Sequence, residues 1–204
     1  MRCNTEPIMA EGHAGNGLHV HLAPARGGEL VPVREDGGSL SDPSRWLIGG
    51  LVQMGAALMA FGNRASGSLT RLTQAKEAPN RITWGEYDRS ALIRLPAQAR
   101  DTVGRPVSPP TIEFRLPDGS AFPHLLLAGA ALATLKGART EGLDELLEAT
   151  SATGVRDGGG RAASVPWSFR EVALAVAEHR EAFEADGVFP SVLLDRLVSD
   201  LAHI

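Results

Sequence analysis

Cysteine is almost missing from this chain of 204 residues: Cys3 stands alone. No internal disulfide can form, and the sequence fits a reduced, cytoplasmic compartment rather than an oxidising one. No apolar leader follows Met1, which points the same way. Lysine is also scarce, since Lys76 and Lys136 are its only lysines among 20 basic residues. Against 24 acidic residues these leave a formal charge of -4, which offers nucleic acid no footprint. Aromatic residues make up only 5%, so the core must be aliphatic. The longest apolar run, Trp46 to Phe61, is broken by Gly49, Gly50, Gln53 and Gly55. It falls short of the roughly 20 residues of a membrane span, so no membrane partner is expected.

What remains is the composition of a folded enzyme-like domain. Apolar residues at 43% and charged residues at 22% exclude disorder and coiled coil as descriptions of the whole. A chain of this length buries about two-thirds of its unfolded surface without staples.

The Trp46–Phe61 run reads as a buried helix, with Ser41 or Asp42 as cap, Pro43 at its first position and Leu47, Leu51, Met54 and Leu58 on one stripe. Alternation predicts strands over 18–22, 81–84, 90–95 and 111–116, and the prolines at 106, 109 and 110 mark 98–110 as a loop. Helices are predicted over 123–136 and 143–149. Ser168 and Glu171 form a capping box for a helix ending near Gly187, and Pro190 opens a last one. Residues 151–164, with Gly158, Gly159 and Gly160, read as a flexible surface segment.

Period-two spacing places His19 and His21 on one strand face, and Glu113 and Arg115 on one face opposite Ile112, Phe114 and Leu116. Two imidazoles at alternate positions suit half of a metal site or a phosphate contact, or are simply exposed or satisfied histidines. Glu113 and Arg115 suit either a mutual ion pair or a metal carboxylate beside an anion clamp. Arg71, Arg89, Arg94 and Arg115, near strand ends, fit recognition of phosphate and carboxylate.

Six motifs then occur in a fixed order: Gly17-Leu18-His19-Val20-His21, Leu47-Ile48-Gly49-Gly50-Leu51, Arg71-Leu72, Glu77-Ala78-Pro79, Arg89-Ser90-Ala91-Leu92-Ile93-Arg94-Leu95-Pro96 and Ile112-Glu113-Phe114-Arg115-Leu116-Pro117-Asp118. Together with Gly187-Val188-Phe189 before the last helix, the sequence resembles the C-terminal half of the glutamine synthetase catalytic domain. The resemblance implies an α+β fold in which a curved, mainly antiparallel sheet is flanked by helices. Residues 1–204 would be a partial catalytic domain, without the N-terminal β-grasp domain and the first half of the catalytic domain.

The implied activity is an ATP-dependent ligase that forms glutamine, or another γ-glutamyl amide, from glutamate and ammonia or another amine through γ-glutamyl phosphate. The alternative is an inactive nucleotide- or anion-binding regulatory module. By resemblance, His19 and Glu113 would bind Mg2+ or Mn2+, His21, Arg89 and Arg94 would contact ATP, and Gly15 and Arg71 the amino acid. Arg115 would meet both its reacting carboxylate and the phosphoryl group, and Glu77 would be the flap carboxylate that excludes water and helps deprotonate the incoming ammonium. The family pattern is altered at Ala14-Gly15-Asn16, Leu22-Ala23, Thr111 and Phe122-Pro123-His124, which bears on the choice of amine. An incomplete sheet predicts that the chain alone is poorly soluble, or forms a homo-oligomer or pairs with a complementing chain.

Overall fold

The computed structural model describes residues 15–36, 38–73 and 78–203. Four strands form the main sheet: β1 (Val20–Leu22), β4 (Trp84–Glu86), β5 (Ile93–Leu95) and β6 (Ile112–Phe114), in the order β1-β6-β5-β4. Strand β6 is antiparallel to both β1 and β5, while β4 runs parallel to β5. A separate ribbon pairs β2 (Ala25–Arg26) with β3 (Glu29–Leu30). The strands are shorter than alternation predicts, and β4 begins at Trp84 rather than Arg81. Arg81 instead makes an isolated bridge to Ser164.

The core is built on α1 (Asp42–Gly62), whose Ile48, Leu51, Met54 and Leu58 are fully buried. At 21 residues α1 is longer than the apolar run suggests, and by length and hydropathy it could cross a membrane, yet 78% of the relevant window is buried in protein. That burial is what its glycines permit. A Cβ on Gly50 would stand 1.8 Å from the Ala133 carbonyl oxygen of α3 (Pro123–Ala138), and one on Gly137 would stand 2.0 Å from that of Trp46. The two helix backbones touch, so α1 is apolar all round because protein surrounds it. Ser41 occupies the cap position of α1, but its hydroxyl donates to the Pro32 carbonyl at 2.6 Å rather than capping the helix.

Helix α2 (Ser68–Thr73) carries Arg71 to the sheet. On the far side α4 (Leu143–Thr150) and α5 (Ala152–Arg156) cover β4, with the Trp84 indole donating to the Leu147 carbonyl at 2.7 Å. The segment expected to be a flexible surface stretch is therefore in part helical. Its later residues are also tied down, since Ile82 N–H donates to Ala163 and Arg161 N–H to Ala149. Glycine-rich composition signals a chain that can turn tightly, and here it turns against the sheet.

Half of the predicted capping box forms: Glu171 N–H donates to the Ser168 hydroxyl at 3.2 Å, while the Glu171 carboxylate accepts from the N–H of Trp167, one residue before the cap. The helix it starts is interrupted. Helix α6 (Phe169–Glu178) ends at His179, and a short α7 (Arg180–Glu184) follows before the final α8 (Ser191–Leu201). Phe61, Phe183 and Phe189 meet with centroids 5.0–5.5 Å apart, fastening the C-terminal helices to the end of α1.

Candidate active site

Register builds the site. Glu113 on the central strand β6 lies directly opposite His21 of β1 and Arg94 of β5, so three of the predicted residues are cross-strand neighbours. Both faces of β6 are buried. Ile112, Phe114 and Leu116 enter the core, while Glu113 and Arg115, 1% and 3% exposed, lie beneath the charged groups on the other face.

Arg94, Arg115, His19 and His21 gather at the Glu113 carboxylate. One oxygen, Oε1, accepts from Arg115 Nη1 at 3.1 Å and lies 2.9 Å from His19 Nδ1 and 4.0 Å from His21 Nε2. The other, Oε2, lies 2.5 Å from Arg94 Nε. That last contact is an ion pair rather than a hydrogen bond: both atoms are buried, and neither has a hydrogen-bond partner among the described residues. Arg115 is held further by its Nη2 donating to the backbone carbonyl of Arg89 at 3.0 Å.

His19 is kept neutral. Burial pushes its imidazole below the ordinary histidine value, and Arg115 adds to this, outweighing the pull of Glu113. Because the carboxylate only accepts, Nδ1 carries the hydrogen towards Glu113 and leaves Nε2 with a free lone pair. Nε2 faces Gly17, where a Cβ would stand 2.8 Å away and 3.4 Å from Arg71 Nη1. The missing side chain at Gly17 is what lets His19 and Arg71 share this hollow.

Arg71, 3% exposed, donates through Nη2 to the carbonyls of Leu116 and Pro117. Burial lowers the affinity of its guanidinium for the proton, and the nearby Asp118 carboxylate works against that. Asp118 is fully buried, accepting from Asn63 Nδ2 at 3.2 Å and from Ser120 N–H and hydroxyl at 2.8 and 2.5 Å. Asn63 and Asp118 were not foreseen as site residues. The only local signal was the turn Pro117-Asp118-Gly119-Ser120, which does not disclose a partner 55 residues away.

Of the predicted residues, the structure brings together His19, His21, Arg71, Arg94, Glu113 and Arg115. Arg89 reaches the cluster by its backbone carbonyl, and its own residue is exposed. Gly15 lies in the irregular segment before β1, and Glu77 is outside the described residues. Thr111 hydroxyl and His21 Nδ1 are hydrogen-bonded at 2.9 Å.

The described residues do not make a self-contained divalent-cation site. No group of three or more His, Cys, Asp or Glu side chains among them is arranged to hold an ion. Mg2+ or Mn2+ needs a shell of about six mostly oxygen ligands. Glu113, the carboxylate at hand, is engaged by Arg94, Arg115 and His19.

Residues 4–195 match the glutamine synthetase catalytic domain. The chain belongs to that family. A glutamine synthetase of Thermococcus kodakarensis is 42% identical over 131 residues, 64% of this chain and 28% of the relative. One from Streptomyces filamentosus is 31% identical over 196 residues, 93% of this chain and 39% of the relative. The fold matches the glutamine synthetase of Plasmodium falciparum with a TM-score of 0.72 at 20% identity, over 94% of this chain and 44% of that one. The chain thus spans less than half the length of these glutamine synthetases, and the match places the cluster around Glu113 within the family's catalytic domain.

Proposed function

We propose that this chain carries part of the active site of a glutamine synthetase-type ligase, joining glutamate to ammonia or another amine with ATP as phosphoryl donor. One observation carries the reading beyond family membership. The nearly inaccessible Arg115 and the partly buried Arg94 meet at the Glu113 carboxylate, and the equally inaccessible Arg71 lies beside His19 with Asp118 as its acidic neighbour. Such a surplus of fixed positive charge suits a substrate that brings carboxylate and phosphate together.

In this reading the γ-phosphoryl group of ATP passes to a side-chain carboxylate oxygen, ADP leaves, and an acyl phosphate remains. The amine nitrogen then attacks the acyl carbon, phosphate departs and the nitrogen loses a proton. Arg71 orients the amino-acid carboxylate, and Arg115 faces the charge that builds on the transferring phosphoryl group. Arg89, Arg94 and His21 lie towards the nucleotide, Gly15 towards the amino acid, and Glu77 closes the site against water. Glu113 acts as the fixed counter-ion that keeps Arg115 in place. A second copy or a complementing chain is the expected partner.

The test is amine-dependent phosphate release from ATP with glutamate, comparing wild type with Glu77→Ala and Arg115→Ala. The expected result is a loss of about a hundredfold or more in Arg115→Ala, the scale seen when one transition-state donor is removed. Equal rates in all three would show that the turnover does not come from this site.

A further inference from the structure

Arg71 and Arg115 are equally inaccessible, yet their counter-charges are arranged differently. Arg115 spends a donor on Glu113 directly, with Nη1 3.1 Å from Oε1. Arg71 does not: both of its hydrogen bonds among the described residues are made by Nη2, to the carbonyls of Leu116 and Pro117. Its acidic neighbour, Asp118, acts on it through its field while the Asp118 oxygens are bonded elsewhere. We propose that Asp118 is a positioning residue for Arg71: locked by Asn63 and Ser120, it fixes the two carbonyls that hold Nη2, and so aims Nη1 into the hollow at Gly17 to receive an amino-acid carboxylate. The identity of that anion rests on the ligase reading.

The lock is complete on the protein side. Asp118 Oδ1 accepts from the N–H and hydroxyl of Ser120 at 2.8 and 2.5 Å, and Oδ2 accepts from Asn63 Nδ2 at 3.2 Å. The same Nδ2 donates to the Leu116 carbonyl at 3.1 Å, so one amide group holds both the carboxylate and a carbonyl that grips Arg71. Backbone bonds close the frame. Asp118 N–H donates to the Gly62 carbonyl at the end of α1 at 3.0 Å, and Leu18 N–H to the Pro117 carbonyl at 2.9 Å. Gly17 itself bridges to Asp118, so the residue that fixes Arg71 from behind also fixes the glycine in front of it. Nη1 lies 3.4 Å from the point where a Gly17 Cβ would stand. A carboxylate in direct contact would use the Arg71 donors, whereas one bonded to Asn63 and Ser120 compensates the charge and leaves Nη1 for an incoming anion.

The experiment follows the Arg71 Nε–H resonance of the full chain by nitrogen NMR, assigned by its loss in Arg71→Lys. Nε is buried and has no hydrogen-bond partner among the described residues, so its exchange with water reports how firmly the guanidinium is held. Asp118→Asn should speed that exchange about tenfold or more, the factor that loss of one hydrogen bond to a charged group implies. Exchange of the Ile93 N–H, which donates to the Thr83 carbonyl, should be unchanged. Asn63→Ala removes the shared donor, leaves Asp118 in place and should act on Arg71 in the same selective way, which decides the matter if Asp118→Asn does not fold. In the phosphate-release assay, Asp118→Asn should raise the KM for glutamate about tenfold while the KM for ATP holds. Arg71 exchange equal in wild type and both variants would overturn the proposal, as would equal acceleration at Ile93 or equal rises in the two KM values. A wild type that releases no phosphate would refute the ligase reading alone, because the exchange comparison needs no turnover and still decides whether Asp118 holds Arg71.

Discussion

Glu113 is the residue on which the candidate site depends, and its role is electrostatic before it is catalytic. Three arginines cannot be neutralised by losing protons, so where they are buried they need an anion or an acceptor. Arg71 finds backbone carbonyls and the field of Asp118, while Arg94 and Arg115 find Glu113. Removing one member of a buried pair leaves the other uncompensated, at a cost of about 3–5 kcal/mol. Glu113→Gln is therefore expected to destabilise the chain by roughly that amount in urea unfolding. Because the pair is inaccessible, high salt should change this loss little, in contrast with the exposed pair Arg196–Asp200. A loss under about 1 kcal/mol would mean that water or another group already compensates the arginines.

Among the elements, the contact of α1 with α3 sets how much error the core can absorb. Gly50 and Gly137 bring the two backbones together, and the intruding atoms at both positions are carbonyl groups, which cannot rotate away. Gly50→Ala is expected to cost about 3 kcal/mol, at the upper end for an overpacked core, and to lower the urea midpoint accordingly. Gly55→Ala on the same helix is the control. Its nearest neighbour would be Leu92 Cδ2 at an ordinary 3.6 Å, so alanine there should be neutral or stabilising by up to about 1 kcal/mol. If both variants lose the same stability, helix propensity rather than backbone contact governs α1.

These elements also mark what could be read from sequence. Alternation around Glu113 and around His19 placed their faces correctly, because period two is a property of the strand alone. The ion pair of Glu113 with Arg115 is one of the two arrangements that the same spacing allows. Two kinds of information were not local. The Asn63–Asp118 contact needs the turn after β6 to meet the end of α1, and the docking of residues 151–164 needs the sheet already in place. The break at His179 had a third cause, since its imidazole leaves the helical pattern to reach another element.

That histidine couples the whole molecule to pH. His179 closes α6 and bonds through Nε2 to the Gln53 carbonyl of α1 at 3.0 Å. Burial lowers its affinity for the proton, Lys136 adds to this, and Glu178 and the carbonyl work in the opposite direction. In the unfolded chain the imidazole titrates near its ordinary value of about 6.5. Between that value and the lower folded one, the unfolded state binds more protons, so stability must rise with pH through this window and level off above it. The melting temperature should therefore fall as pH is lowered from about 7 to about 5. His19 is shifted in the same direction, so the readout is the difference between wild type and His179→Asn rather than the slope itself. The variant should lose stability at neutral pH, where the Gln53 contact is missing, and show a shallower decline on acidification. Parallel curves would mean that His179 is protonated equally in both states, and that the α6–α1 contact does not carry the pH dependence.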